Sequence, residues 1–226
     1  MKAIYSVAAL PVLGFIFAFS GCQSAARKVM YSAYEKIGTE KRDLLKSRVK
    51  KARDAQVESS EEFKDALTQL KELYGYDGGN LEKAYDEVKG DYEDASRSAE
   101  EVHSSIERMD QVAEDLFEEW RKEAQEIQTA EYRTESRRQL QETRTQYDAM
   151  HAALLRSEKA MAPALAKLKD QVLFLKHNLN ARAIGSLKGK SESLQADIDR
   201  VVKEVSASIA KADGFIREME STKSRQ

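Results

Sequence analysis

From Asn80 onward the apolar residues fall at Leu81, Tyr85, Val88, Tyr92, Ala95, Ala99, Val102, Ile106, Met109, Ala113, Leu116 and Trp120. Steps of four and three alternate without a miss. The mean step of ~3.5 residues keeps one stripe of a helix against a partner. Asn80 stands where an N-cap belongs, so the spacing predicts a helix over about residues 81–127. A second seam runs through Leu140, Tyr147, Leu154, Met161, Leu168 and Leu175, each seven apart, with Leu165, Val172 and Leu179 beside it. It predicts a helix over 133–184, which Pro163 should kink or restart. The last seam, Leu194, Ile198, Val201, Val205, Ser208, Ala212, Phe215 and Met219, predicts a helix over 191–220 with Ser208 as a polar intrusion.

The chain before Gly75 is less regular. Met30, Ile37 and Leu44 share one register, and Val49, Phe63 and Leu70 share another. Gln56 and Ser59–Ser60 interrupt it. The reading is a helix over 25–73, folded antiparallel onto the next through the short Gly75–Gly79 turn. Residues 128–135 read as a turn or as continuous helix, because the period fades there without proline or glycine. Residues 221–226 read as a disordered tail. The fold expected is all-α: an elongated antiparallel coiled coil or long helical bundle, following a cleaved signal peptide.

Composition agrees. The 226 residues include only 10 glycines and 2 prolines, and 34% are charged. A sheet-containing fold would need more turn residues. The net charge of −2 hides an asymmetry: residues 81–126 carry 16 acidic and 6 basic side chains, and residues 131–190 carry 6 acidic and 12 basic. An acidic helix beside a basic one gains only ~0–1 kcal/mol per exposed pair, so the contrast specifies neighbours more than stability.

The start of the chain is of another kind. Lys2 precedes the uncharged run Ala3 to Phe19, then Ser20, Gly21 and Cys22, the only cysteine. This is the order of a secretory signal. Phe19-Ser20-Gly21-Cys22 resembles the lipobox of bacterial lipoproteins, with Phe19 where leucine is usual. The resemblance implies that residues 1–21 are removed, that Cys22 carries the lipid, and that residues 22–24 form the lipidated N-terminus. It also implies a protein joined to the membrane through lipid. Gln23 is not the aspartate that retains such proteins at the inner membrane, so the resemblance points to the periplasmic face of the outer membrane, with the inner membrane as the alternative. An ordinary cleaved signal or an uncleaved membrane helix are the other readings; seventeen residues span only ~25 Å of a ~30 Å hydrocarbon core.

Motifs for chemistry are thin. Gly185-Ser186-Leu187-Lys188-Gly189-Lys190-Ser191 ends like a phosphate-binding loop, but three residues rather than four separate its glycines, Ile184 stands where the first glycine should, and no strand pattern precedes it. His103, His151 and His177 are scattered. Glu100 and His103 have the Glu-x-x-His spacing of di-iron bundles, once instead of twice, and Asp148 to His151 is a loose echo. No catalytic residue, metal site or cofactor is expected. The basic run from Lys41 to Arg53 is compensated by nearby acids and suits a solvated face, a neighbouring acidic helix or lipid head groups rather than nucleic acid. Tyr85, Tyr92 and Trp120 read as core. Tyr74 and Tyr76 flank the glycine turn, either exposed or folded back.

Asp170 to Ile184, with its run Val172-Leu173-Phe174-Leu175-Lys176-His177-Asn178-Leu179-Asn180, resembles a hallmark of a proteobacterial family of uncharacterised proteins, DUF2959. Tyr147-Asp148-Ala149-Met150 and Ala212-Asp213-Gly214-Phe215-Ile216 are similar to it as well. The resemblance implies a helical, lipoprotein-like envelope protein with no established activity. His177, Asn178 and Asn180 are unusually polar for their place, as caps of a bend or as a contact for a partner. The expected function is structural, scaffolding or docking among other envelope proteins, without catalysis, as monomer or homo-oligomer. The alternative is a helical binding module, chaperone-like or lipid-handling.

Overall fold

A computed structural model describes residues 41–75, 80–188 and 191–223. The predicted signal peptide, Cys22, and the predicted helix from 25 to 40 lie outside the described residues. Every element within them is helical: α1 (Lys41–Tyr74), α2 (Leu81–Glu126), α3 (Ala130–His177), α4 (Ala181–Lys188) and α5 (Ser191–Lys223). α1 packs on α2 and α5, and α3 packs on the same two helices. Cross-helix contacts fix the directions. Lys41 meets Glu119 and Ser98 meets Ser59. Arg53 meets Asp213, and His103 meets Glu158. Lys167 meets Asp197. Each neighbour is therefore antiparallel, giving an up-down-up-down four-helix bundle with α1 diagonal to α3.

The seams face inward as the spacing requires. On α2 all twelve seam residues are buried or half-buried, and on α5 only Met219 is not fully buried. α2 and α3 bury more than a narrow coiled-coil stripe. Ser98, Ser105 and Val112 add a row to α2, and Met150, Ser157, Ala164 and Gln171 add one to α3. Those rows are the wider ~3/7 face that a helix in a four-helix bundle needs, since it packs against two neighbours.

α1 departs from the reading of an interrupted helix. Leu45, Val49, Ala52, Gln56, Ser59, Phe63, Ala66, Leu70 and Leu73 are all buried and alternate four and three. Gln56 and Ser59 occupy seam positions, so the register is unbroken and its middle is polar.

Three boundaries also differ. α2 ends at Glu126, and α3 starts at Ala130 instead of 133, so the ambiguous residues 128–135 belong to α3 except for 128–129, which lie in the three-residue turn 127–129. Side chains hold it without glycine: Arg133 Nη1 donates to Ile127 O at 3.1 Å and Gln128 Nε2 to Glu126 O at 3.2 Å. They satisfy carbonyls that a helix end leaves orphaned. The helix predicted over 133–184 breaks at Asn178–Asn180, and α4 turns to pack on α1 and α3. α5 continues to Lys223, into the predicted tail. Pro163 starts no new helix; α3 runs through it. Asn80 caps α2 as its position suggests, its Oδ1 accepting from Lys83 N at 3.1 Å.

Candidate interaction surface

α3 ends where its polar residues change the backbone's course. Asn178 leaves helical geometry at φ −134°, its N–H donating to Leu175 O at 3.1 Å and its Nδ2 to Phe174 O at 3.0 Å. Asn180 N donates to Asn178 O at 2.8 Å, and Asn180 O accepts from Ile184 N at 3.1 Å, opening α4. Asn178 and Asn180 thus form the bend between two helices. His177 is exposed in the last turn of α3, beside Lys176, where positive charge suits the negative end of the helix dipole.

This bend sets the surface before it. Leu168, Val172 and Leu175 point into the core, which leaves Leu173 and Phe174 outside at 47% and 38% exposure. The clue was in the sequence: both are large apolar residues off the seam. Each borders a cleft. Leu173 and Val172 of α3 face Tyr85 and Tyr92 of α2 across a groove of about 390 Å³, rimmed by Lys169 and Lys176 on one wall and Asp86, Lys89 and Glu93 on the other. Phe174 borders a second cleft of about 310 Å³ with Leu187 of α4 and Ser193 of α5. Tyr85 and Tyr92, expected in the core, are half-buried groove walls. Trp120, also expected in the core, is half-buried at the other end of the bundle; its Nε1 donates to Ser136 Oγ at 3.1 Å and Arg42 lies 4.2 Å from its ring. Tyr74 is folded back and buried against Gln171, and burial pushes its phenol above the ordinary range. Tyr76 lies outside the described residues.

Midway between α2 and α3 lies a second cluster. Tyr147 OH donates to Asp110 Oδ1 at 2.5 Å, and His151 Nε2 lies 2.9 Å from Asp110 Oδ2. The second contact is an ion pair whose N–H is not aimed at the oxygen, so Nε2 lacks a well-formed hydrogen bond. The Tyr147 ring stacks on His151 at 5.8 Å and meets Phe117 and Phe215 edge-on at 5.5 and 5.9 Å. The Asp110 carboxylate holds the imidazole above the usual histidine range, against burial. Burial, then the bond to Asp110, pushes the Tyr147 phenol far up. A proton acceptor this tightly paired inside an aromatic cluster suits packing between α2 and α3.

His103 pairs instead with Glu158 at 2.7 Å and Glu107 at 3.4 Å, on the surface. Among the described residues no three His, Cys, Asp or Glu side chains converge where they could hold a metal ion. The glycine-lysine-serine segment contributes Gly185 to Lys188 to α4, and Ser191 opens α5 with its Oγ donating to Lys188 O at 2.8 Å. The basic run at the start of α1 meets acidic partners: Lys41 with Glu119 at 2.6 Å, Lys46 with Glu220 at 3.7 Å, and Arg53 with Asp213 at 2.7 Å. No helix of the described residues is long and apolar enough to cross a membrane.

The profile of the family described as "Protein of unknown function (DUF2959)" matches residues 30–219. The chain belongs to this family. The DUF2959 match spans the groove, the Asn178 bend and the Asp110 cluster, and with them nearly all of the four-helix bundle. No curated protein and no solved structure matches the chain.

Proposed function

We propose that this DUF2959 protein is a lipid-anchored scaffold of the cell envelope that docks partners at one end of its bundle, without catalysis. The observation that carries the reading is the exposure of Leu173 and Phe174, adjacent large apolar residues at one end of the bundle, each bordering a cleft. An apolar pair bordered by clefts on both sides is the kind of surface that marks an interaction site. It lies near the end where α1 stops, ~50 Å along a 34-residue helix from Lys41. Lys41 follows Cys22 by 19 residues. A lipid on Cys22, at the periplasmic face of the outer membrane, would hold the chain in the envelope where partners can reach the bundle. One acyl chain anchors marginally, and two or more hold firmly.

The test has two arms in cells producing the full chain. Labelled fatty acid enters the wild type and not Cys22→Ser; equal labelling, or none in either, overturns the anchor. Formaldehyde adducts of the wild type are lost in the double variant Leu173→Glu with Phe174→Glu, whose helical circular dichroism is unchanged. Adducts indifferent to the substitution overturn the docking end. The groove beside Leu173 favours one second reading, a helical module that handles a lipid or an unfolded chain. That reading expects the purified full chain to retain co-extracted lipid or to suppress aggregation of an unfolded substrate.

A further inference from the structure

We propose that the groove between α2 and α3 seats an amphipathic helix of a partner protein that is acidic along one edge. The inference rests on the docking reading above and assigns the partner's chemistry. The groove is two helical turns long. Tyr85 and Tyr92 stand seven residues apart on one wall, and Lys169 and Lys176 seven apart on the other, ~10 Å at ~1.5 Å per residue. Between the charged rims its lining is apolar: Val172, Leu173 and the two tyrosine rings. It is half-open, whereas a small-molecule pocket encloses most of its ligand. A trough of this form takes the apolar stripe of a helix.

Charge selects the edge. Lys169 and Lys176 bracket Leu173 four residues before and three after it, on one stripe of α3. Neither makes an ion pair or hydrogen bond among the described residues. Lys89 across the groove is already matched by Glu93 at 3.4 Å. A helix with carboxylates about seven residues apart, and apolar residues three or four along between them, sets its acids on the two lysines and its stripe on Leu173. Its far edge faces Asp86 and Glu93, which disfavours a helix acidic on both sides. The same two carboxylates oppose a flat anionic bilayer, which would also fail to reach the half-buried Tyr92.

Photo-crosslinking tests this on the full chain in cells that make it, with p-benzoylphenylalanine at position 173 and, as control, at Val57, an exposed apolar residue of α1. The expected result is an adduct from position 173 alone. Sequencing of its crosslinked peptide should give apolar residues at spacings of three and four, flanked by acids about seven apart. Lys169→Glu with Lys176→Glu should lower its yield about tenfold or more, while Lys169→Arg with Lys176→Arg preserves it. Both pairs are exposed or rim positions, so thermal melting should not change. A phospholipid adduct, a second copy of this chain, a basic segment, or a yield unmoved by charge reversal each overturns the acidic helix while leaving a docking end. No adduct at position 173 overturns both.

Discussion

Gln56 and Ser208, 152 residues apart, occupy facing seam positions of α1 and α5 and hydrogen-bond to each other at 0% exposure. Gln56 Nε2 also donates to Leu154 O of α3 at 3.2 Å. One turn away Ser98 Oγ donates to Ser59 Oγ at 3.2 Å, and Ser59 Oγ lies 3.7 Å from Met161 Sδ. A polar belt thus crosses the middle of the bundle, touching all four long helices.

Removing one partner of a buried hydrogen bond strands the other, at a cost of ~1–3 kcal/mol. Gln56→Leu or Ser208→Ala should each lower the urea midpoint accordingly. The double variant should lose less than the sum of the two, which a double-mutant cycle reads directly. A polar seam residue can fix register at some expense of stability. The double variant should therefore fold but show broadened amide resonances. Additive losses with sharp spectra would argue against a register role.

The belt also shows where sequence and fold part company. Val49, Phe63 and Leu70 were readable as a register because they are apolar. Gln56 was not, although it stands seven from Val49 and from Phe63. Period carries the information and residue type obscures it when burial is offset by a partner 152 positions away. The break at Asn178 was hidden for a related reason. Hydrophobic spacing continues through Leu179 and Ile184, yet the bend is made by a side-chain amide that takes a helical carbonyl. The turn at 127–129 uses extended backbone that any residue can adopt, so no glycine announces it. Leu173 and Phe174 were legible as excess apolar residues, but the groove beside Leu173 needs Tyr85 and Tyr92 from a helix 80 or more positions earlier.

The Asp110 cluster should make stability depend on pH. Asp110 raises the His151 pKa, with Asp148 and Glu158 adding to it. A group raised on folding stabilises fully below its unfolded value of about 6.5, and that contribution fades as pH rises through the folded value. His151→Gln should therefore cost more at about pH 5.5 than at about pH 8.5. Asp110→Asn should remove most of that difference. Chemical denaturation at the two pH values, with an NMR titration of the His151 ring, checks both. Tyr147→Phe should cost ~1–2 kcal/mol at either pH, since its hydroxyl bonds a charged group.

Glu62 of α1 and Asp91 of α2 should act in the opposite sense. Both pKa values are raised, first by desolvation and then by neighbouring carboxylates: Asp94 and Asp65 for Glu62, Asp65 and Asp94 for Asp91. An acid raised on folding binds its proton more readily in the folded state, so its charged form opposes folding at neutral pH. Stability is gained as pH falls through the folded value toward the unfolded one. Glu62→Gln should raise the unfolding free energy at pH 7, by no more than ~0.5 kcal/mol after allowance for solvent screening, as read by urea denaturation. The gain should fade as pH falls below the ordinary carboxyl value, where the side chain is protonated in both the folded and the unfolded chain. A loss on substitution would mean that the carboxylate has an attractive partner.

Two glycines lie inside the long helices without a steric reason. A methyl group at Gly90 of α2 or Gly214 of α5 would meet nothing within 4 Å. Neither needs the backbone freedom glycine provides, and each costs ~0.5–1 kcal/mol relative to alanine through the entropy of the unfolded chain. Gly90→Ala and Gly214→Ala should each raise the urea midpoint by about that amount. They stand on helices that do not pack on each other, so the gains should add. Gly90 lies next to Lys89 on the groove wall, whereas Gly214 lies toward the other end, beside Asp213 and its partner Arg53. If Gly90→Ala stabilises the free chain yet weakens the adduct formed at position 173, the missing side chain belongs to docking. If both glycines stabilise and the adduct is unchanged, neither is needed for it.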